Sequence, residues 1–407
     1  MNNSVPDFRL LWKQNQAVII SLIILTLLYL ILRLVNLSLL PIFADEAIYI
    51  RWSQIMKSEP TLRFLPLTDG KQPLFMWIMM PVFKIISDPL IAGRLVSVGA
   101  GLGSLIGIFL LTLELFKTQK QALLASILYG IIPYTLFFDR LALADSLLSM
   151  FGIWAIYFSV KLVKQPKLDF SMLTGFSLGA AWITKSPAMF FIALMPLTAI
   201  LYRPKLSTRK TNKHDLISPL YWYYFKLISY FFLSTGIAYF IFNLLRLGPE
   251  FYQIASRNKD YIFPISELLQ EPFKAFKPNF PNVIGFYYHL LTPSIVVTSI
   301  AGIFLMIKKH LNIALFLLIW LLAPIFIQSF IARDVNARYF LFTVPPLIIF
   351  ASNTLNWLLT KVKNPPLRIL VFASIFIPSL WMNFLLLTNP SAADLPRIER
   401  HGYLEQW

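Results

Sequence analysis

A carboxylate can take a proton from an attacking hydroxyl, and lysine and arginine are the side chains that best hold an anionic phosphate. Both kinds occur together in FADEAIYIRWSQIMKSEPTLRFLPLTDGKQPL, residues 43–74, which opens with Asp45 and Glu46 and closes on Lys71. Three further stretches carry similar groups. FFDRLALADSLL holds Asp139, Arg140 and Asp145; AAWITKSPA holds Lys185; FIARDVNARYFLFTVPP holds Arg333, Asp334 and Arg338 ahead of Pro345–Pro346. Simpler roles exist for each. Asp45 would cap a helix, Asp145 or Ser146 would do the same while Asp139 pairs with Arg140, and Lys185 would snorkel from an apolar segment.

The elements that must position these residues are membrane helices. The sequence has 407 residues, 57% hydrophobic and only 14% charged, more apolar surface than a soluble domain can bury. Ten Trp and seventeen Tyr suit interfacial belts. The net charge of +17 comes without a basic, aromatic-interleaved module, so it points to membrane topology and not to nucleic acid. The absence of cysteine leaves no disulfide to report on compartment. Residues 17–32 follow Arg9 and Lys13 but precede no small-residue cleavage site, which predicts an uncleaved first span.

Apolar stretches predict an all-α polytopic protein of about eleven spans, near 17–36, 90–116, 121–138, 145–163, 170–185, 187–202, 222–244, 291–307, 312–328, 339–358 and 368–388. Basic clusters alternate regularly between them: Lys117/Lys120, Lys161/Lys164/Lys167, Arg203 through Lys213, Lys308/Lys309 and Lys361/Lys363/Arg368. All of them join Arg9 and Lys13 in the cytoplasm if residues 74–87 do not cross, a stretch also too short for a span. That stretch and the helix expected after Asp45, with Ile48, Trp52, Ile55 and Met56 on one face, then become two interfacial helices of the first outer loop. The expected organisation is a transmembrane catalytic unit over 1–388, with a catalytic outer loop at 41–89 and a long, Pro-punctuated outer loop at 246–290, and a short outer tail at 389–407. Of the nineteen acids, only Asp7, Glu114, Asp169 and Asp215 fall on the cytoplasmic side, which points to chemistry, binding or solvated loops outside.

The outer residues fit one reaction. A lipid-linked sugar phosphate offers a phosphate at the interface and an electrophilic anomeric carbon above it. Transfer needs a base, assigned to Asp45, and fixed cations for the leaving phosphate, assigned to Lys71 and Arg338. Arg140 and Lys185 are candidates for the same phosphate, and Glu46 and Asp145 for the catalytic group. On a helix Glu46 points about 100° from Asp45, toward acceptor, metal or Lys71. A monophosphate donor requires no cofactor, since basic side chains can replace a metal; a pyrophosphate donor would call for a divalent ion. The rival classes are a transporter or flippase for lipid-linked saccharides, which would need paired half-repeats that are not apparent, and a non-catalytic assembly subunit using the long outer loop as its interface.

These residues resemble the C superfamily of membrane glycosyltransferases, especially its bacterial protein-O-mannosyltransferase-like and aminoarabinose-transferase-like members. The resemblance rests on Ala44-Asp45-Glu46, Lys71-Gln72-Pro73-Leu74, Arg94-Leu95, Arg140 with Asp145-Ser146, Thr184-Lys185-Ser186-Pro187 and Arg338-Tyr339. It covers residues 17–200 well and the remainder loosely. It implies an inverting hexosyl- or pentosyltransferase at the outer face of the cytoplasmic membrane. The donor would be a polyprenyl-phosphate sugar and the acceptor a lipid, glycan or protein. The first-loop acid would lie at the catalytic centre, with lysine and arginine at the donor phosphate. Lys71-Gln72-Pro73 departs from the commoner lysine-proline-proline form, which alters local rigidity. Many relatives continue into a soluble C-terminal domain, so the end at Leu404-Glu405-Gln406-Trp407 reads as a minimal or truncated form.

Overall fold

The computed structural model describes residues 8–204 and 213–405, with side chains described for 16–204 and 220–405. Arg9, Lys13, Asp7 and Asp215 therefore lie outside the described side chains. Helix α1 (Phe8–Leu34) leads into the first loop, which contains α2 (Ala44–Ser58) and α3 (Leu74–Val82). Then come α4 (Pro89–Phe116), α5 (Gln119–Ile131), α6 (Pro133–Phe138), α7 (Ala144–Lys164), α8 (Leu168–Trp182) and α9 (Ala188–Leu197). Helix α10 (Lys213–Asn243) precedes a second loop bearing α11 (Gln253–Tyr261) and α12 (Ile265–Gln270). The remainder is α13 (Phe276–Leu291), α14 (Pro293–Lys309), α15 (Leu311–Ile331), α16 (Val344–Lys361), α17 (Pro365–Thr388) and α18 (Arg397–Tyr403). Among the described residues the one β feature is an isolated bridge, Ile262 with Ala332.

The boundaries follow local chemistry. Asp88 caps α4 by accepting from the N–H groups of Leu90 and Ile91, with Pro89 opening the helix. Ile132, held extended before Pro133, breaks the stretch expected at 121–138 into α5 and α6. Among the described residues seven helical segments are long and apolar enough to cross a membrane, and α13 with α14 forms an eighth candidate bent by 107°. All eleven predicted stretches are helical, but α5–α6, α8 and α9 fall short of that length. The loop expected at 246–290 contains α11, α12 and nearly all of α13, which turns sharply into α14.

Helices α4 and α7 and the segment 337–361 form the centre, with 67–72% of their apolar windows buried, against 17–28% for α1, α10 and α17. The outer helices turn side chains such as Phe232, Phe240 and Ile369 outward, as lipid contact requires. Helix α8 packs closely on α10. Ser171 exchanges hydrogen bonds with Tyr230 and Ser234 at 2.8–2.9 Å, and a Cβ at Gly175 would lie 2.8 Å from that of Ile237. Such small residues at i, i+4 and i+8 are how helices approach without hydrophobic drive in lipid.

Two ion pairs are fully buried in this centre. Arg94 of α4 meets Glu46 at 2.9 Å, and Arg33 at the end of α1 meets Asp139 at 3.8 Å. Asp139 also accepts from Tyr29, Tyr129 and Ser146. Its partner is thus Arg33, not Arg140 as the sequence suggested.

Candidate active site

Helix α2 places Asp45 one residue inside its N-terminus. Phe43 occupies the cap position, and its N–H donates to Glu46 Oε2 at 3.0 Å. Glu46, not Asp45, thus stabilises the helix start. The buried face of α2 is Glu46, Tyr49, Ile50, Ser53 and Met56, rotated from the expected stripe, and Ile48 is exposed. Asp45 consequently projects from the edge of that face into a cavity of about 310 Å³.

Two cations reach Asp45 there. Lys71 Nζ lies 3.1 Å from Oδ1, and Arg338 Nη2 lies 2.7 Å from Oδ2. Burial disfavours the charged carboxyl, but Arg338 and then Lys71 outweigh it and hold Asp45 down at about 2. Lys71 also contacts Asp69 at 3.4 Å and sits 5.1 Å from the centre of the Tyr49 ring.

The second half of the cavity comes from the α8–α9 turn. Leu74 N donates to Ile183 O at 3.1 Å, and Gln72 Nε2 donates to Ser186 Oγ at 2.7 Å. These two bonds set residues 71–74 beside the α8–α9 turn that carries Lys185. Lys185 Nζ contacts Asp145 Oδ1 at 2.6 Å and lies over the Tyr339 ring at 4.6 Å. Asp145, 4% exposed at the first turn of α7, is not a cap, because Leu143 holds that position.

Asp145 is not itself in the cavity wall and meets it through Lys185, and two further predicted site residues are elsewhere. Glu46 is fully buried, accepts from Arg94 and from Ala142 N at 2.6 Å, and faces neither cavity nor Lys71. Its carboxylate is needed against Arg94, which also donates to the carbonyls of Leu37, Leu40 and Pro41. Arg140 is 1% exposed, donates to Val35 O and Asn36 O at 2.9 and 2.6 Å, and is absent from the cavity wall. Both side chains fasten the loop after α1 to the 140–142 turn.

The sequence reading did not place α11 in the site. Arg257, Asn258 and Tyr261 line the cavity, and Arg257 pairs with Asp69 at 3.5 Å. Gly70 makes that approach feasible. It has φ +64, and a Cβ there would lie 2.5 Å from that of Arg257. The signal available was the long outer loop, with its charges, but no spacing ties 257 to 70. In all, the wall presents Lys71, Lys185, Arg257 and Arg338 against Asp45 and Asp334, an excess of positive charge.

Residues 70–238 match the family model of dolichyl-phosphate-mannose-protein mannosyltransferases; the match starts just before Lys71 and leaves Asp45 and Glu46 outside. No similar sequence is found among the curated proteins. Among solved structures, the chain resembles the archaeal oligosaccharyltransferase AglB from Archaeoglobus fulgidus, in complex with an inhibitory peptide and a dolichol-phosphate. That match has TM-score 0.59 at 12% identity over 93% of this chain and 56% of that one. It also resembles ArnT from Cupriavidus metallidurans bound to undecaprenyl phosphate, with TM-score 0.57 at 16% identity over 94% of this chain and 66% of that one. The chain therefore spans between half and two thirds of the length of these two structures. It shares the fold of these two structures, and residues 70–238 match the dolichyl-phosphate-mannose-protein mannosyltransferase family model.

Proposed function

We propose that the protein transfers a sugar from a polyprenyl-phosphate donor to a hydroxyl or amine acceptor at the outer face of the membrane, with inversion at the anomeric carbon. The observation that carries this reading is Asp45 held between Lys71 and Arg338 in a cavity with excess positive charge. The acceptor attacks the anomeric carbon as the carbon–oxygen bond to phosphate breaks, and polyprenyl phosphate departs with the bonding electrons. Asp45 receives the acceptor's proton. Lys71, Arg338 and Lys185 take up the charge that develops on the phosphate, as preorganised cations in a low-dielectric site.

The low value of Asp45 fits this sequence of events. A carboxyl held at about 2 is a poor base while both cations face it. A phosphate competing for Lys71 and Arg338 frees the carboxylate and raises its basicity where the acceptor binds. Donor binding and base activation are then one event. Lys71, Lys185 and Arg338 place positive charge where the phosphate leaves. The test is glycosyl transfer from a panel of radiolabelled polyprenyl-phosphate sugars, with and without EDTA, comparing wild type with Asp45→Asn. A variant as active as wild type would remove Asp45 from the chemistry.

A further inference from the structure

The Asp45–Arg338 pair joins two segments that are distant in the chain, and one short element touches both. After α17 the chain turns at Pro396 and forms α18, which folds back against the site end of the molecule. Glu399, with no exposed surface, accepts from Ala337 N at 2.7 Å. The same peptide unit's neighbour is fixed from the other side, since Tyr134 Oη donates to Ala337 O at 2.6 Å. Arg338 is the next residue, so its backbone position is set by these two bonds together with Asn336, whose side chain accepts from Arg338 N.

Tyr403, one helical turn further along α18, is 2% exposed. Its ring lies 4.3 Å from that of Phe43 and 5.3 Å from that of Phe137. Phe43 precedes α2 and lies two residues before Asp45. The guanidinium carbon of Arg338 sits 5.1 Å from the same Phe43 ring. Helix α18 therefore holds the base's helix through Tyr403 and the cation's turn through Glu399. Glu399 Oε2, the Tyr403 hydroxyl and Arg338 Nε are all buried with no hydrogen-bond partner.

We propose that α18 is a positioning clasp for the active site, in which Glu399 fixes the Ala337–Arg338 turn and Tyr403 fixes Phe43 so that Asp45 and Arg338 meet. The proposal rests on the transfer reading above for its functional meaning. Glu399 and Tyr403 do not touch the reacting atoms and act only through Arg338 and Phe43.

The experiment uses the full chain in nanodiscs, with kcat, donor KM and thermal stability measured for each variant. Glu399→Ala and Tyr403→Leu should each lower kcat/KM by about ten- to a hundredfold in the folded fraction, as loss of alignment does. Glu399→Gln should recover most of that loss, because its amide oxygen still accepts from Ala337 N, and Tyr403→Phe should do so because the ring makes the contact. Wild-type kcat and donor KM in Glu399→Ala and Tyr403→Leu, with only stability lowered, would overturn the clasp. A second readout is independent of turnover. In this cysteine-free chain, spin labels at Ser58→Cys and Arg333→Cys report the distance between α2 and the turn before Arg338. That distance should broaden in Glu399→Ala and Tyr403→Leu. An unchanged distribution overturns the clasp, whereas an inactive wild type with the expected broadening overturns the transfer reading and leaves the clasp standing.

Discussion

Asp45 and the two cations beside it make separable predictions. Asn at position 45 keeps the shape of the side chain, and the α2 cap is unaffected because Phe43 and Glu46 supply it. Asp45→Asn should therefore fold normally yet lose about 10²–10⁴ in transfer rate. It also frees Lys71 and Arg338 for the phosphate, so donor binding should hold or tighten; equilibrium binding of radiolabelled donor measures this. Lys71→Ala and Arg338→Ala should instead weaken donor binding by about ten- to a hundredfold, the usual cost of a lost charged hydrogen bond. The pH dependence has a defined sign. Asp45 stays ionised down to about 2, so kcat/KM, which reports the free enzyme, should show no acid limb from it in the assay range. In Arg338→Ala one of the two opposing charges is gone, and an acid limb should move up toward the ordinary carboxylate value of about 4. An acid limb at the same pH in wild type and variant would mean that Arg338 does not control the base.

At the scale of elements, the buried pairs decide how α2 is held, and they separate what the sequence could reveal from what it could not. Spacing marked Asp45 and Glu46 as adjacent acids but could not tell which side of the helix faced the cavity. That was settled by Arg94, a basic residue on another helix. Glu46→Gln leaves Arg94 buried without a counter-charge, a change worth about 3–5 kcal/mol, so it should reduce yield and thermal stability more than Asp45→Asn does. Arg140 was misplaced for the same reason, since the carbonyls of Val35 and Asn36 that receive it carry no sequence signature. Lys71, Lys185 and Arg338 were legible because each lies at the boundary of an apolar helix, where a charge is costly unless used. Glu399 was not, because α18 lies in a polar tail with no periodic pattern. Burial raises its carboxyl to about 7 against the pull of Ala337 N–H and Arg338, with Asp334 adding to the rise. An acid whose folded value exceeds its unfolded one contributes stability below the unfolded value and loses it as pH rises through the folded value. Wild-type melting temperature should thus fall between pH 4.5 and about 7 relative to Glu399→Gln, measured by differential scanning fluorimetry in one detergent. Parallel curves would show that Glu399 does not titrate in this window.

At the scale of the whole molecule, the proposed catalytic groups and the basic clusters lie at opposite ends of the helices. Helix α7 carries Asp145 in its first turn and Lys161 and Lys164 in its last, about 30 Å apart at 1.5 Å per residue. At the basic end Glu114 gathers Lys117, Lys161 and Lys164 within 2.6–3.6 Å, and the Phe116 ring meets His310 at 5.7 Å. The ends of α4 and α7 and the α14–α15 turn therefore share one side, as the alternation of basic clusters required. Helix α3 has nine residues, about 13 Å of helix against a hydrocarbon core of about 30 Å, so it cannot carry the chain across. In the orientation we propose, lysine and arginine stay cytoplasmic during insertion and Asp45, Lys71 and Arg338 face outward. Single cysteines test this directly. Ser87→Cys, exposed just after α3, and Asn389→Cys, exposed after α17, should react with a membrane-impermeant maleimide added from outside; Lys120→Cys should react only after permeabilisation. Labelling of Lys120→Cys from outside together with protection of Ser87→Cys would invert the molecule and place the site in the cytoplasm. Labelling of Ser87→Cys and Lys120→Cys from the same side would mean that α4 does not span, and the division into a site end and a basic end would fail with it.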